Sequence, residues 1–184
     1  MFWLVLLVSY AASASTDTCP NTDPISDFNA TAYMQGTWYE VARFYNTWEN
    51  RGDCVSLRHK VEGGNTMFVI STVLNNRQVT FEGVIEFDER KGYIDYVSKV
   101  YADSEGTNNV PVEILLIDYD KYVVIYYCAI KSNKQHVYTW ILSRTKKLDG
   151  ESMTRIKGFF ARTPFLSWDK LIWDHFTDQT CKVN

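Results

Sequence analysis

The sequence predicts an all-β domain followed by a single C-terminal helix. Three observations lead there. Eight short segments between residues 37 and 143 read as strands. Gly, Asn and Asp punctuate them at short, regular intervals. Only beyond residue 150 does the apolar period lengthen to that of a helix.

Residues 16–32 are polar, carry Pro20 and Pro24, and read as an extended arm. The first strand spans residues 37–45. The second and third, 54–61 and 66–74, are split by the turn Glu62-Gly63-Gly64-Asn65. Asn75-Asn76-Arg77 then leads into 78–88, and 92–102 alternates in its turn. A polar stretch, 103–109, precedes 112–117. Asp118-Tyr119-Asp120 turns the chain into the strongly apolar run 122–129, and 135–143 completes the set. Residues 151–162 place Met153, Ile156, Phe159 and Phe160 on one helical face, opened by Asp149-Gly150 and closed by Pro164. An aromatic segment, 165–176, runs on toward Cys181. Eight strands without helical crossovers exclude a parallel α/β sheet and leave a sandwich or an up-and-down barrel.

The bulk properties narrow the function. The 184 residues suit one domain, or one domain plus a removable leader. Residues 2–8 are apolar and give way to Ala12-Ser13-Ala14, which fits the small-residue cleavage rule. Residues 1–15 are therefore expected to be a signal peptide, cut after Ala14 or Ser15, and 16–184 the secreted domain. The apolar run is too short to span a bilayer, which needs about 20 residues. A net charge of −3 without any basic stripe argues against a nucleic-acid partner. Aromatic residues make up 15% of the chain, a load that suits either an aromatic core or a ligand pocket.

Cys19, Cys54, Cys128 and Cys181 read as two disulfides in a secreted chain, with three pairings open. No C-x-x-C pair points to zinc. Asn29-Ala30-Thr31 is a glycosylation sequon, so Asn29 is a candidate glycan site. The three histidines, His59, His136 and His175, are scattered and accompany no catalytic motif, so no enzyme activity and no metal are expected. His59 is read as a polar pocket tip.

Three segments now acquire a joint meaning. They are Gly36-Thr37-Trp38-Tyr39-Glu40, Leu116-Ile117-Asp118-Tyr119-Asp120-Lys121-Tyr122 and Trp140-Ile141-Leu142-Ser143-Arg144. In this order they resemble the G-x-W, T-D-Y and late-strand Arg signatures of the lipocalin family, with Ile117 in place of the Thr. Residues 28–40, Trp48-Glu49-Asn50, Cys54, 118–128 and 140–144 are similar to one branch, that of apolipoprotein D and the insect bilin-binding (insecticyanin-type) proteins.

The resemblance implies an eight-stranded antiparallel up-and-down β-barrel with the C-terminal α-helix packed outside. It implies the pairs Cys19–Cys128 and Cys54–Cys181. Each would close a loop of 109 or 127 residues, worth on the order of 4–5 kcal/mol in the chain-entropy model. It gives Gly36, Trp38, Asp118, Tyr119 and Arg144 structural roles, with the guanidinium over the indole at the barrel floor. With Arg144 pointing inward, period 2 turns Leu142, Trp140, Tyr138 and His136 inward too. Cys128 must face out to reach the N-terminal arm. That sends Val123, Ile125 and Tyr127 in, and Val124 and Tyr126 out. Leu57, His59, Val69, Ser71, Val73 and Tyr96 complete the expected pocket.

The implied function is a secreted carrier of a small hydrophobic ligand: a bilin such as biliverdin, a fatty acid, a sterol or a retinoid, with no cofactor required. An alternative is a structural or interaction protein, such as a pigment-complex subunit or a receptor ligand. A homo-oligomer or a cell-surface receptor would then meet Tyr126, Trp48, Trp168 and Trp173 at an exposed aromatic surface.

Overall fold

Alternation with period 2 becomes a closed barrel in the structure, a computed structural model that describes residues 18–46, 52–88, 92–97 and 109–183. The eight strands are β1 (Thr37–Arg43), β2 (Asp53–Glu62), β3 (Asn65–Leu74), β4 (Arg77–Phe87), β5 (Tyr93–Val97), β6 (Asn109–Asp118), β7 (Tyr122–Lys131) and β8 (Lys134–Ser143). Each pairs antiparallel with the next, and β1 pairs with both β2 and β8, which closes the ring. The first strand ends two residues sooner than the sequence suggests, and the sixth begins three residues earlier. The expected signal peptide, Trp48-Glu49-Asn50 and the end of the fifth segment beyond Val97 lie outside the described residues.

Three two-residue hairpins set the register. Gly63-Gly64, Asn75-Asn76 and Ser132-Asn133 all have positive φ at both central positions, as type I′ turns require. Glu62 therefore pairs with Asn65, Leu74 with Arg77, and Lys131 with Lys134. Bulges interrupt β1 between Glu40 and Ala42, β2 between Asp53 and Ser56, and β6 between Ile114 and Leu116.

The wall separates two apolar clusters. Outside, Val41, Ala42, Val124, Tyr126 and Ile141 meet the helix α2 (Gly150–Arg162) through Ile156 and Phe160. The Asp149 carboxylate caps α2, accepting from the Ser152 amide and the Ser152 hydroxyl at 2.8 Å each. Glu151 sits in its first turn and Arg162 in its last, both favourable to the helix dipole. A two-residue strand β9 (Ile172–Trp173) pairs with β1 beside this cluster. Inside, Leu57, Phe68, Ile85, Ile94, Ile114, Val123, Ile125 and Leu142 form the second cluster.

The polar arm is not extended throughout. A short helix, α1 (Ala30–Met34), follows Asn29, whose Oδ1 accepts from the Ala32 amide at 3.0 Å. Gly36, at φ +64°, turns the chain out of α1 and into β1. Disulfides join Cys19 to Cys128 and Cys54 to Cys181, with Cα separations of 5.8 and 5.6 Å. One ties the arm to β7; the other ties the C-terminal tail to β2. Replacing Cys54 and Cys181 together by Ser should lower the unfolding free energy by about 2–5 kcal/mol. A urea midpoint unchanged from the parent would contradict this.

Candidate ligand-binding site

The barrel is plugged at one end. Trp38, at the start of β1, has no exposed surface. The Arg144 guanidinium lies over its ring, 3.4 Å from the centroid. Arg144 also donates to backbone carbonyls: Nε to Tyr119 at 2.9 Å, Nη2 to Ala32 at 3.2 Å, and Nη1 to Gln35 and Thr37. The indole N–H donates to the Tyr33 carbonyl at 2.8 Å. One side chain thus joins β1, α1 and the β6–β7 turn. Asp118 shapes that turn by accepting from the Asp120 amide. The Tyr119 hydroxyl accepts from the Asn29 amide at 2.6 Å.

Above the plug lies a ring of polar aromatics. Tyr33 and Tyr96 share a hydrogen bond of 2.6 Å between their hydroxyls, and burial raises the pKa of both. The His59 ring is 5.1 Å from that of Tyr33. Its two nitrogens are inaccessible and make no hydrogen bond of normal geometry. Burial, then the Arg144 charge, depress its pKa to about 4, and a loose approach to the Met34 backbone offsets this only slightly. His59 is therefore neutral at physiological pH. Gly83 of β4 leaves the space that the Phe68 ring occupies, since a Cβ there would lie 2.5 Å from it.

Higher up, β7 and β8 present a flat aromatic wall. Tyr127 and Tyr138 stack at 5.6 Å with planes 16° apart; Tyr138 and Trp140 lie 6.3 Å and 20° apart; His136 continues the row. Ile70, Tyr96, Tyr127 and Trp140 belong to the inner cluster yet are only partly buried. These side chains face inward and still keep accessible surface, as the lining of a hollow open at its upper end would.

One charged feature on this wall escapes the sequence reading. Glu40 and Leu142 are register partners, as are Arg43 and Trp140. Leu142 and Trp140 both face inward. The bulge between Glu40 and Ala42 turns what would be opposite faces into one, so Glu40 and Arg43 point inward together. Arg43 Nη1 donates to Glu40 Oε1 at 2.8 Å, with the residues 8% and 3% exposed. Period 2 counted from Trp38 could have found Glu40; Arg43 was hidden by the bulge.

Leu57, His59, Tyr96, Val123, Ile125, Tyr127, Tyr138 and Trp140 all lie on the inner side. Val69, Ser71 and Val73 do not. Leu57 pairs with Ile70 and His59 with Phe68, and directly paired residues share a face. The inner residues of β3 are therefore Phe68, Ile70 and Thr72. The aromatic association surface also needs correction. Tyr126 is 1% exposed, covered by Phe165 at 5.1 Å, and Trp168 and Trp173 pack on the outer cluster. Trp48 lies outside the described residues. Among the described residues no group of three His, Cys, Asp or Glu could hold a metal ion.

A family model described as "Lipocalin / cytosolic fatty-acid binding protein family" matches residues 35–170. The bilin-binding protein of Pieris brassicae is 29% identical over 190 residues, covering 100% of this chain and 98% of its own. Insecticyanin-B of Manduca sexta is 27% identical over 194 residues, covering 100% and 93%. The solved structure of Manduca sexta insecticyanin superposes with a TM-score of 0.79 at 24% identity, over 91% of this chain and 90% of that one.

Two outcomes follow from the floor. Arg144→Ala should cost about 2–4 kcal/mol, combining a cation–π contact with hydrogen bonds from a charged donor. It should also red-shift tryptophan emission as Trp38 meets water. His59 gives a pH dependence. Unfolded, it titrates near 6.5; folded, near 4. Above 6.5 both states are neutral. Below it the unfolded chain takes up the proton first, so stability falls as pH drops toward 4, by up to about 3 kcal/mol. Urea unfolding of the parent and of His59→Gln at pH 7 and pH 4.5 should show the smaller loss in the variant.

Proposed function

The chain belongs to the lipocalin / cytosolic fatty-acid binding protein family, and from that premise we propose that it is an extracellular carrier of one small hydrophobic ligand. The observation that carries this reading is the inner aromatic wall of Tyr127, Tyr138 and Trp140, which keeps accessible surface above a sealed floor. A ligand resting on it leaves water, at about 25 cal/mol per Å² of apolar surface. Near-parallel rings favour a flat conjugated body over a branched one. The names of the Pieris and Manduca relatives make a bilin the first ligand to test, with fatty acids, sterols and retinoids in the same class.

The protein requires no cofactor and performs no covalent chemistry in this reading. All four cysteines are consumed in disulfides, which also fits an oxidising, extracellular setting. A leader over residues 1–15 and a mature domain over 16–184 belong to the same proposal. So does a glycan on Asn29, which is exposed and caps α1 through Oδ1.

The test is to purify the protein from its native tissue, record its absorption spectrum and identify the extracted ligand by mass spectrometry. Ligand-dependent quenching of tryptophan emission gives affinities. Trp140→Ala should weaken binding roughly ten- to hundredfold, or about 1.4–2.8 kcal/mol. Val69→Ala, on the outer face, should leave affinity unchanged. A protein that carries nothing and is quenched by none of these ligands is not a carrier.

A further inference from the structure

The open end of the barrel has a charge pattern of its own. Arg144 follows β8 at the floor, so the start of β8 stands at the far end. Arg58 of β2 pairs with Thr37 beside the floor, so β3 climbs away from it to Leu74. The hairpins at Ser132-Asn133 and Asn75-Asn76 therefore both rim the mouth. Their strands lie four apart in a ring of eight, on opposite sides of it. Register fixes what these tips turn inward. On β7 and β8 the pairs run without a shift from Tyr127–Tyr138 through Ala129–His136 to Lys131–Lys134. The first pair is on the inner face, so the third is too. On β3 and β4 they run from Ile70–Phe81 through Thr72–Val79 to Leu74–Arg77, which turns Arg77 inward. Arg77, Lys134 and His136 are exposed. Lys131 leans over the ring wall: burial raises the pKa of Tyr138, and the Lys131 charge opposes that rise.

Packing does not ask for this pattern. Like charges directly opposite on two strands repel, yet Lys131 faces Lys134. The chain carries a net charge of −3. Among the described strand residues, however, Glu40 is the one carboxylate on an inner face, and it lies deeper, paired with Arg43. Resting on the carrier reading, we propose that Arg77 and Lys134, with Lys131 and His136 beside Lys134, form a cationic rim that selects a ligand with a carboxylate at its outer end. A carboxylate drawn into the apolar interior loses its hydration without compensation. At the rim it stays in water and meets opposite charge. The guanidinium can take it with two N–H donors, the ammonium as a point charge, and the imidazole N–H adds a hydrogen bond. The apolar body then descends along Tyr127, Tyr138 and Trp140. A ligand entering head first would find the interior guanidiniums engaged, Arg144 with Trp38 and main-chain carbonyls, Arg43 with Glu40. The favoured ligand is thus an amphipathic carboxylate, either a fatty acid with one head group or a bilin with its propionates at the mouth. Water and salt screen exposed charges, so the selection is modest and depends on ionic strength.

The experiment pairs each acid with an uncharged counterpart: laurate with dodecan-1-ol, and biliverdin with its dimethyl ester. Tryptophan quenching gives affinities for the parent and for the double variant Arg77→Gln, Lys134→Gln. Both positions are exposed, so the variant should fold as the parent does and hold the uncharged probes equally well. At low ionic strength the parent should bind at least one acid about fivefold tighter than its counterpart, with the margin shrinking in about 1 M salt. The double variant should lose most of that margin through weaker binding of the acid. The charge-conserving variant Arg77→Lys, Lys134→Arg should keep it. A margin for laurate alone identifies a single-headed lipid acid, and one for biliverdin alone identifies a bilin. A parent that binds acids and counterparts equally, or a margin that survives in the double variant, overturns the rim while leaving the carrier reading intact. A parent that binds none of these probes overturns both.

Discussion

The contact on which the structure depends is the Arg144 guanidinium lying on the Trp38 indole. A barrel of eight strands has two ends, and a binding hollow needs one of them shut. Here a fully buried indole does the closing, and a cation seals it from below. The cation cannot leave easily, since its donors reach carbonyls on α1, on β1 and in the β6–β7 turn. Removing charge from water is costly. Stacking on an aromatic face and bonding to several carbonyls offsets much of that cost without requiring a carboxylate. The G-x-W segment and the late-strand Arg are thus parts of one device, although 106 positions separate the residues that touch.

This division leaves the interior free for another use. Stability is drawn from the outer cluster, where α2, the C-terminal aromatics and β1, β7 and β8 pack together, and from two disulfides that pin both tails to the wall. A globular protein of this size usually fills its centre. A barrel braced from outside and plugged from below can keep part of its centre unfilled. The row of rings on β7 and β8 faces that interior beside the aliphatic Leu57, Ile70, Val123 and Ile125.

Most of this architecture was legible in the sequence, and the exceptions have physical causes. The strands, the helix and the disulfide partners were visible in alternation, helical period and family resemblance. The inner face of β3 was misassigned, although a signal existed. A two-residue hairpin at Gly63-Gly64 forces residues whose numbers sum to 127 to pair, so Leu57 must face with Ile70 and His59 with Phe68. Assigning Leu57 and Val69 to the same interior contradicted that arithmetic. The short helix α1 was missed because only five residues form it. Tertiary contacts, with Tyr33 buried in the inner cluster and Asn29 held by Tyr119, decide its conformation.

Bulges are where the alternation rule ends. In a regular strand, residues three apart point to opposite sides. On β1 the extra residue reverses this, and Glu40 and Arg43 come to share the interior, 2.8 Å apart. No composition or period announces such a site, because it arises from a local fault in the ladder that the partner strand tolerates. Bulges recur where a side chain must be re-aimed. Without this one, strict alternation would send Arg43 to the outer face, which the apolar cluster beneath α2 occupies. With it, the charge is paired and turned toward the hollow. The irregularity therefore does two things at once: it keeps the outer cluster apolar and places an ion pair on the inner wall beside Trp140.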